Sequence, residues 1–443
     1  MIGGEGFLVG SKIEFLEIGF VDLSGRLKSM TVPVKQAESL TDVAKDPAVS
    51  KGTNIDGSSV IGFSKVEMSD LHLTPDPDSL VELPYTPDRR AAVMSYVYTR
   101  IQAGKDLLPF DGDPRNILRR VQQKFLGSSK SLQLKVEPEF FFVTADGQPY
   151  DRASYADTRP RNFGAEIMLE ISRALRSIPI EINVIHHEGG PSQQEIELDF
   201  GPVMKMADSL VLFKNIVKVT AADKGIDATF MPKPFEGLAG NGMHCHMQLW
   251  EGDKNLFATE RDGEISESAK QFVAGLLKHA PAITAIANPT INSYKRLVPG
   301  YEAPVYISWG HENRTTLVRV PMFGKPEKAA IEFRSPDPSC NPYLLFAALL
   351  AAGMNGVKNE LEAPEPRTED LFKLSPEELC EIGVHMLPST LNDALNALET
   401  DELMREVLGG HAFNTLLRLK REEWKQYANV TVTDWERSKY QDI

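Results

Sequence analysis

Four short segments place chemically active side chains two residues apart: Glu137 and Glu139 in Val136-Glu-Pro-Glu-Phe-Phe-Phe, Glu195 and Glu197, His244 and His246, and Glu332 and Arg334. In a β-strand, residues i and i+2 point to one face. Each pair therefore shares a face, while neighbours such as Phe140, Phe142, Ile196 and Ile331 are apolar enough for a core. One acidic pair alone would read as a solvated strand face, and one histidine pair as structural. Together they describe a half-buried face whose charges need partners or cations. Many oxygen donors with one or two imidazoles suit Mg2+ or Mn2+ better than zinc. Arg296, Arg314, Arg319 and Arg334 follow within one stretch of chain. Arginine forks match phosphate and carboxylate oxygens. Divalent cations beside arginines are what phosphoryl transfer from ATP requires.

These side chains must ride on strands. The pattern predicts strands over 132–144, 180–187, 193–200, 228–232, 243–250, 315–320 and 329–335. It predicts helices over 165–176, 209–224, 266–279, 342–358 and 401–427. Strands spread in this way among helices indicate an α+β fold with an antiparallel sheet, not a doubly wound parallel one. Upstream, residues 13–35 alternate around Ser24-Gly25 as a hairpin, and 91–101 reads as a strand. Asp113 is placed to cap a helix starting at Pro114. The boundary falls between 105 and 113, which divides the chain into an N-terminal domain, 1–108, and a larger one, 109–443.

Composition narrows the classes. The 443 residues include 62 acidic against 48 basic ones, a net charge of -14, which argues against non-specific nucleic-acid binding. Cys245, Cys340 and Cys380 form no CxxC pair, as expected of a reducing, cytoplasmic compartment without structural zinc. Met1–Lys12 is Gly-rich and carries no signal-peptide pattern. The longest apolar run, 343–354, predicts a buried helix rather than a membrane span. GxxxxGK[ST] is missing, which excludes a P-loop. Gly237-Leu-Ala-Gly240-Asn-Gly242 does not open a helix and reads equally as a flexible turn or a substrate loop.

The motifs resemble those of the class I glutamine synthetase family. Asp56-Gly-Ser-Ser, Gly62-Phe63 and Ser69-Asp70 resemble its N-terminal signature, and Val136-Glu-Pro-Glu-Phe its metal strand. His186-His-Glu188 with Glu195, and Met231-Pro-Lys-Pro running into Gly242-Met-His244-Cys-His246, resemble the next two segments. Asn292-Ser-Tyr-Lys-Arg296-Leu-Val-Pro-Gly-Tyr-Glu302-Ala-Pro is the most specific match. Asn313-Arg314, Arg319-Val-Pro and Ile331-Glu-Phe-Arg334 follow in family order.

The resemblance implies a small β-grasp-like N-terminal domain and a larger catalytic domain with a curved antiparallel sheet flanked by helices. It implies a homo-oligomer of hexameric rings, a dodecamer, in which Asp56 serves the neighbouring subunit's site. The implied reaction joins ammonia to the γ-carboxylate of glutamate with ATP, through γ-glutamyl phosphate, using two to three Mg2+ or Mn2+ ions per site. Glu139, Glu188 and Glu195 would hold one ion, and Glu137, His244 and Glu332 the second. Arg314 and Arg319 would bind the transferring phosphoryl group, and His246 would lie near the nucleotide. Arg296, Arg334 and Gly240 would bind glutamate. Asp56 would attract and deprotonate ammonium, and Glu302 would close the site. No nucleic-acid or membrane partner is implied.

Several positions depart from the family pattern. Ala239 stands where Asn is common, Gln248 where Ser is usual, and Ala330 where an Arg serves the phosphate region, with Lys325 or Lys328 as partial replacements. Tyr155, in Ala153-Ser154-Tyr155-Ala156, is the candidate for the ammonium-site Tyr. His-His-Glu continues as Gly189-Gly-Pro-Ser, and the segment around Phe372 lacks an adenylylated Tyr. These changes leave open two alternatives: a γ-glutamyl ligase for an organic amine, and a non-catalytic nitrogen sensor.

Overall fold

The computed structural model describes residues 12–86, 89–100, 107–259, 261, 263–300 and 303–441. The expected hairpin is formed by β1 (Ile13–Val21) and β2 (Leu27–Ala37). Gly25 makes the turn with a φ of 80°, where an added Cβ would stand 2.9 Å from Asn341 Cα. Two short helices, α1 (Leu40–Ala44) and α2 (Pro47–Lys51), precede β3 (Thr53–Asp56), β4 (Asp70–Pro75), β5 (Val81–Glu82), β6 (Ala91–Arg100) and β7 (Leu107–Pro109). They form one sheet in the order β2-β1-β6-β4-β3, with β5 and β7 also on β6. Its own small core contains Leu16, Ile18, Phe63, Leu73 and Val97.

Helix α3 (Pro114–Leu126) starts as expected, with the Asp113 side chain accepting from the Arg115 and Asn116 amides. Beyond it run β8 (Lys130–Val143), α4 (Ala165–Arg176), β9 (Ile182–His187), β10 (Gln193–Pro202), α5 (Val203–Asp223), β11 (Asp227–Thr229), β12 (Met243–Glu251) and β13 (Lys254–Asn255). Helices α6 (Glu267–Ala287) and α7 (Ser293–Arg296) lead to β14 (Tyr306–His311), β15 (Thr316–Val320) and β16 (Ile331–Phe333). The chain finishes with α8 (Pro342–Lys358), α9 (Pro376–Glu381), β17 (His385–Met386), α10 (Leu391–Thr400), α11 (Glu402–Val430) and α12 (Asp434–Tyr440). The second sheet runs β17-β14-β15-β16-β12-β8-β10-β9. Its pairings are antiparallel except β14–β15, which is parallel, with Glu312 turning the chain between them at a φ of 56°.

One face of this sheet is apolar and covered by helices. Val136, Phe140, Phe142, Cys245, Met247 and Phe333 join α5 and α8 in the main core. The helix expected over 266–279 runs further, although Pro281 inside it has no amide to donate. It continues to Ala287 because its packing on α8 overrides that loss. The two helices meet backbone to backbone: a Cβ on Gly275 would stand 2.1 Å from Ala352 O. The expected single helix over 401–427 is kinked at Gly409, whose φ of 76° is not helical. Strand β14 and helix α10 were not anticipated from the sequence. Arg115 of α3 joins the end of β4 to α5, donating to Asp76 at 2.7 Å and to Asp208 at 2.8 Å. Among the described residues, no helix is long and apolar enough to cross a membrane.

Candidate active site

The charged residues occupy the face opposite the core, and strand register brings them together. In β15-β16-β12-β8, Arg319 lies opposite Glu332, Glu332 opposite His246, and His246 opposite Lys135. One step along, His244 lies opposite Glu137. Another step along β8, Glu139 faces Glu195 on β10, which faces His186 on β9. Directly paired residues share a face, so three rows of charge line one continuous surface.

The first cluster is Glu137, His244 and Glu332, whose ligand atoms lie within 4.8 Å of one another. His244 Nδ1 stands 3.5 Å from Glu137 and 3.4 Å from Glu332. Cations surround it. Glu137 Oε1 meets Lys135 Nζ and His246 Nε2, each at 2.9 Å. Glu332 accepts from Arg334 Nη1 at 2.7 Å and from Arg319 Nε. Burial pushes the Glu332 carboxyl up, but His246, Arg334, His244 and Arg319 outweigh it and hold it down at about 2. Burial also opposes ionisation of Glu137, and again His246 and His244 win, so its carboxyl lies well below the usual range. Burial and Arg334 bring His244 down to about 4, leaving it neutral at pH 7, the form that ligates a metal.

The second cluster contains Glu188 and Glu195 with His186. His186 Nε2 stands 3.5 Å from Glu195, and its Nδ1 stands 3.6 Å from Glu188. Glu139 borders it. Its Oε2 accepts from Gln193 Nε2 at 2.8 Å and from the Gly242 amide at 2.9 Å. Burial, then Glu195, then Glu188 push the Glu139 carboxyl well above its ordinary value. Burial raises Glu195 to about 7, with Glu137 and Glu188 adding to it against His186. The hydrogen bond to Glu195 raises His186 to about 9. Carboxyls crowded until they resist ionisation form a donor set that would ionise fully once a cation offset their mutual repulsion. Oxygen donors of this kind, with an imidazole beside each group, fit hard divalent cations.

The expected glutamate residues stand next to this cluster. Arg296 is buried and donates from Nη1 to Ser335 O at 2.7 Å; burial lowers its guanidinium. A Cβ on Gly242 would stand 2.8 Å from Arg296 Nη2 and 3.0 Å from Glu139 Oε1, so a larger residue there would press both side chains out of place. Gly240 O accepts from Gln193 Nε2 at 3.1 Å, and a Cβ on Gly240 would stand 2.4 Å from Pro232 O. Arg334 Nε is buried without a hydrogen-bond partner. Tyr155 is 64 % exposed, its ring edge-to-face with His186 at 5.4 Å between centroids.

Two expected residues are not brought into either cluster. Asp56 ends the edge strand β3 of the other sheet, where its carboxylate accepts from the Ser58 amide and the Ser58 and Ser59 hydroxyls. Those bonds lower its carboxyl. Arg314 is exposed in the turn before β15, apart from Arg319, which lies near that strand's far end. Glu302 lies outside the described residues. Gln248 is buried, donates to Glu327 O at 3.2 Å and so holds the exposed Lys325–Lys328 turn. Ala330 is buried.

Sequence reasoning missed three contributors. Lys135 continues the same i, i+2 face upstream of Glu137, so periodicity could have found it. His186 was noted only within a motif. Gln193, which orients both Glu139 and the Gly240 carbonyl, carries no local signal; only register places it there.

The comparisons with known proteins agree with this geometry. Residues 12–100 match the family model "Glutamine synthetase, beta-Grasp domain", and residues 111–440 match "Glutamine synthetase, catalytic domain". The chain is 41 % identical to the glutamine synthetase of Methanococcus maripaludis over 451 residues, covering 99 % of this chain and 98 % of that one. It is 40 % identical to the glutamine synthetase of Thermotoga maritima, covering 97 % and 96 %. Among solved structures, a GmaS/ADP complex superposes with a TM-score of 0.86 at 32 % identity, covering 98 % of each chain. The Plasmodium falciparum glutamine synthetase shares the fold, with a TM-score of 0.82 at 24 % identity over 97 % of this chain and 96 % of that one. The chain belongs to the glutamine synthetase family.

Proposed function

We infer that this protein is a glutamate–ammonia ligase that makes glutamine with ATP and divalent metal ions. The observation that carries this reading is the pair of carboxylate–imidazole clusters side by side on one sheet face, flanked by buried arginines. In the reaction, a γ-carboxylate oxygen of glutamate attacks the terminal phosphorus of ATP and ADP leaves. Ammonia then attacks the γ-carbonyl carbon of γ-glutamyl phosphate and phosphate leaves. A carboxylate oxygen cannot depart unaided, so phosphorylation supplies the leaving group.

Bound divalent ions would supply charge neutralisation of the phosphates and carboxylates. We assign one Mg2+ or Mn2+ to Glu139, Glu188 and Glu195 with His186 beside them, and a second to Glu137, His244 and Glu332. A third ion per site is part of the family expectation. The side chains do the remaining work. Arg296 and Arg334 clamp glutamate; the unpartnered Arg334 Nε and the close approach of Gly242 to Arg296 support this. Arg319 and Arg314 stabilise the transferring phosphoryl group, and His246 borders the nucleotide. Tyr155 and His186 wall the nucleophile's side. Glu302 closes the site against water. Asp56, which binds and deprotonates ammonium, lies on the other sheet, so a second copy of the chain must supply it. Hexameric rings and the dodecamer belong to the same reading. So does a domain division at 108/109, one residue before the end of β7, the last strand of the first sheet. So does a cytoplasmic location, which the three free cysteines support.

Purified protein with Mg2+, ATP and glutamate would be given ammonium or a panel of amines, and phosphate release and product mass recorded. Glutamine formation with ammonium is expected. Turnover only with alkyl or aryl amines would replace ammonia as the nucleophile. Ligand binding without any turnover would make the chain a sensor.

A further inference from the structure

A large cavity lies on the opposite side of the catalytic sheet from the carboxylate rows. It has a volume of ≈ 790 Å³ and sits between the β1–β2 turn, α5, the segment after β11 and α11. Its wall includes Phe230, which packs on Phe140 and Phe213 of the helix-covered side, with centroids 5.3 and 6.0 Å away. None of the residues assigned to catalysis lines it.

Its charged lining is mostly cationic. Arg26, Lys214 and Lys218 all border it. Among the described residues, no carboxylate lies within ion-pair distance of any of the three. Lys214 donates only to Cys340 O, at 3.3 Å, so its ammonium has hydrogens to spare. The nearby Asp337 is bonded instead to Asn288 and Ser339. Lys218 stands over the Phe230 ring at 5.8 Å. A fourth lysine, Lys420, is already neutralised by Glu423 at 2.8 Å. Burial pulls the Lys214 ammonium below the ordinary lysine value, the direction expected of a cation lacking a counter-ion. The rest of the wall is mixed: Val211, Leu344 and Leu416 are apolar, Asn215, Thr229 and Asn292 are neutral and polar, and Glu423 is the one carboxylate in the lining.

We propose that this cavity binds a small organic dianion, a dicarboxylate or a phosphate monoester, held by Arg26, Lys214 and Lys218. Three cations without a carboxylate partner, beside both apolar and hydrogen-bonding side chains, match an anion with a carbon body, and a bond to the half-buried Lys214 is charge-assisted. An occupant would touch the back of the glutamate loop. Asn292, on the wall, grips the Lys233 backbone from both sides, its Oδ1 accepting at 2.7 Å and its Nδ2 donating at 3.0 Å. Lys233 in turn donates to Leu238 O, next to the Gly240–Gly242 turn.

The test is calorimetric titration of the full chain with succinate and, separately, with inorganic phosphate. The variants are Arg26→Gln combined with Lys218→Gln, and Lys214→Met alone. Both residues of the double variant are exposed, so it is expected to keep the wild-type unfolding temperature. The proposal expects at least one probe to bind the wild type and to bind the double variant about tenfold more weakly. Succinate the tighter probe points to dicarboxylates; phosphate the tighter one points to phosphate esters. Equal affinity in wild type and double variant places the anion elsewhere and overturns the proposal. So does the absence of binding of either probe to the wild type. If Lys214→Met does not fold, the double variant decides alone.

Discussion

The two acidic clusters use the same residue type at equal depth and reach opposite electrostatic states. Around Glu332 and Glu137, Arg319, Arg334, Lys135 and two imidazoles hold the carboxyls down. Around Glu139 and Glu195 the near neighbours are mostly other carboxylates, and the groups are pushed up. Burial acts against ionisation in both, so the difference lies in the neighbours. The first cluster is internally neutralised and holds the strands of the sheet together without an ion. The second holds its carboxyls against ionisation, and a bound cation would let them ionise together. A buried polar cluster therefore reads as structural or ligand-seeking according to its charge balance, not its residue types.

Glutamine substitutions, which keep shape and remove charge, probe this contrast. The largest effect is expected on turnover: Glu139→Gln and Glu332→Gln should each lower glutamine formation by about 10³-fold at saturating ATP, since both remove a cation-site oxygen charge. Wild-type rates in either variant would remove that carboxylate from the site. Next is stability in EDTA, where the clusters should part. Glu332→Gln strands the buried Arg334 guanidinium and the half-buried Arg319 one, and should cost about 3–5 kcal/mol in urea unfolding. An unchanged urea midpoint would mean the arginines find other partners.

Smaller again is Gln193→Ala. Loss of the hydrogen bond that orients Glu139 should weaken Mg2+ affinity by about 10–100-fold while leaving the metal-free unfolding midpoint near wild type. Equal Mg2+ affinity, measured by titration, would show that Gly242 alone suffices to hold Glu139. The smallest effect is the most discriminating. In EDTA, Glu139→Gln should raise stability by on the order of 1 kcal/mol, because it relieves like-charge repulsion. A loss of stability there would show that the hydrogen bonds from Gln193 and Gly242 to Glu139 outweigh its repulsion from Glu195 and Glu188.

Much of this was legible before any coordinates. Period-two spacing put Glu137 with Glu139 and His244 with His246 on common faces, and the observed strands β8 and β12 carry them so. Asp113-Pro114 announced a capped helix, and 165–176 and 342–358 are helices over just those bounds. Helix ends were less legible. The helix expected to end at 279 continues through Pro281 to Ala287 under packing against α8, and the Gly409 kink is hidden inside an otherwise helical pattern.

Local sequence determined which residues could carry charge and which face of each strand they would share, because side-chain direction follows from backbone geometry a few residues long. Only the tertiary structure decided which strands became neighbours. Register between segments distant in sequence put Arg319 against Glu332 but left Glu139 against Glu195, and so set opposite charge balances in two clusters built from like residues. Register likewise brought Gln193 to Glu139, and packing enclosed Lys214 behind the sheet. Those outcomes depend on pairing between distant segments, which no short stretch of chain encodes by itself.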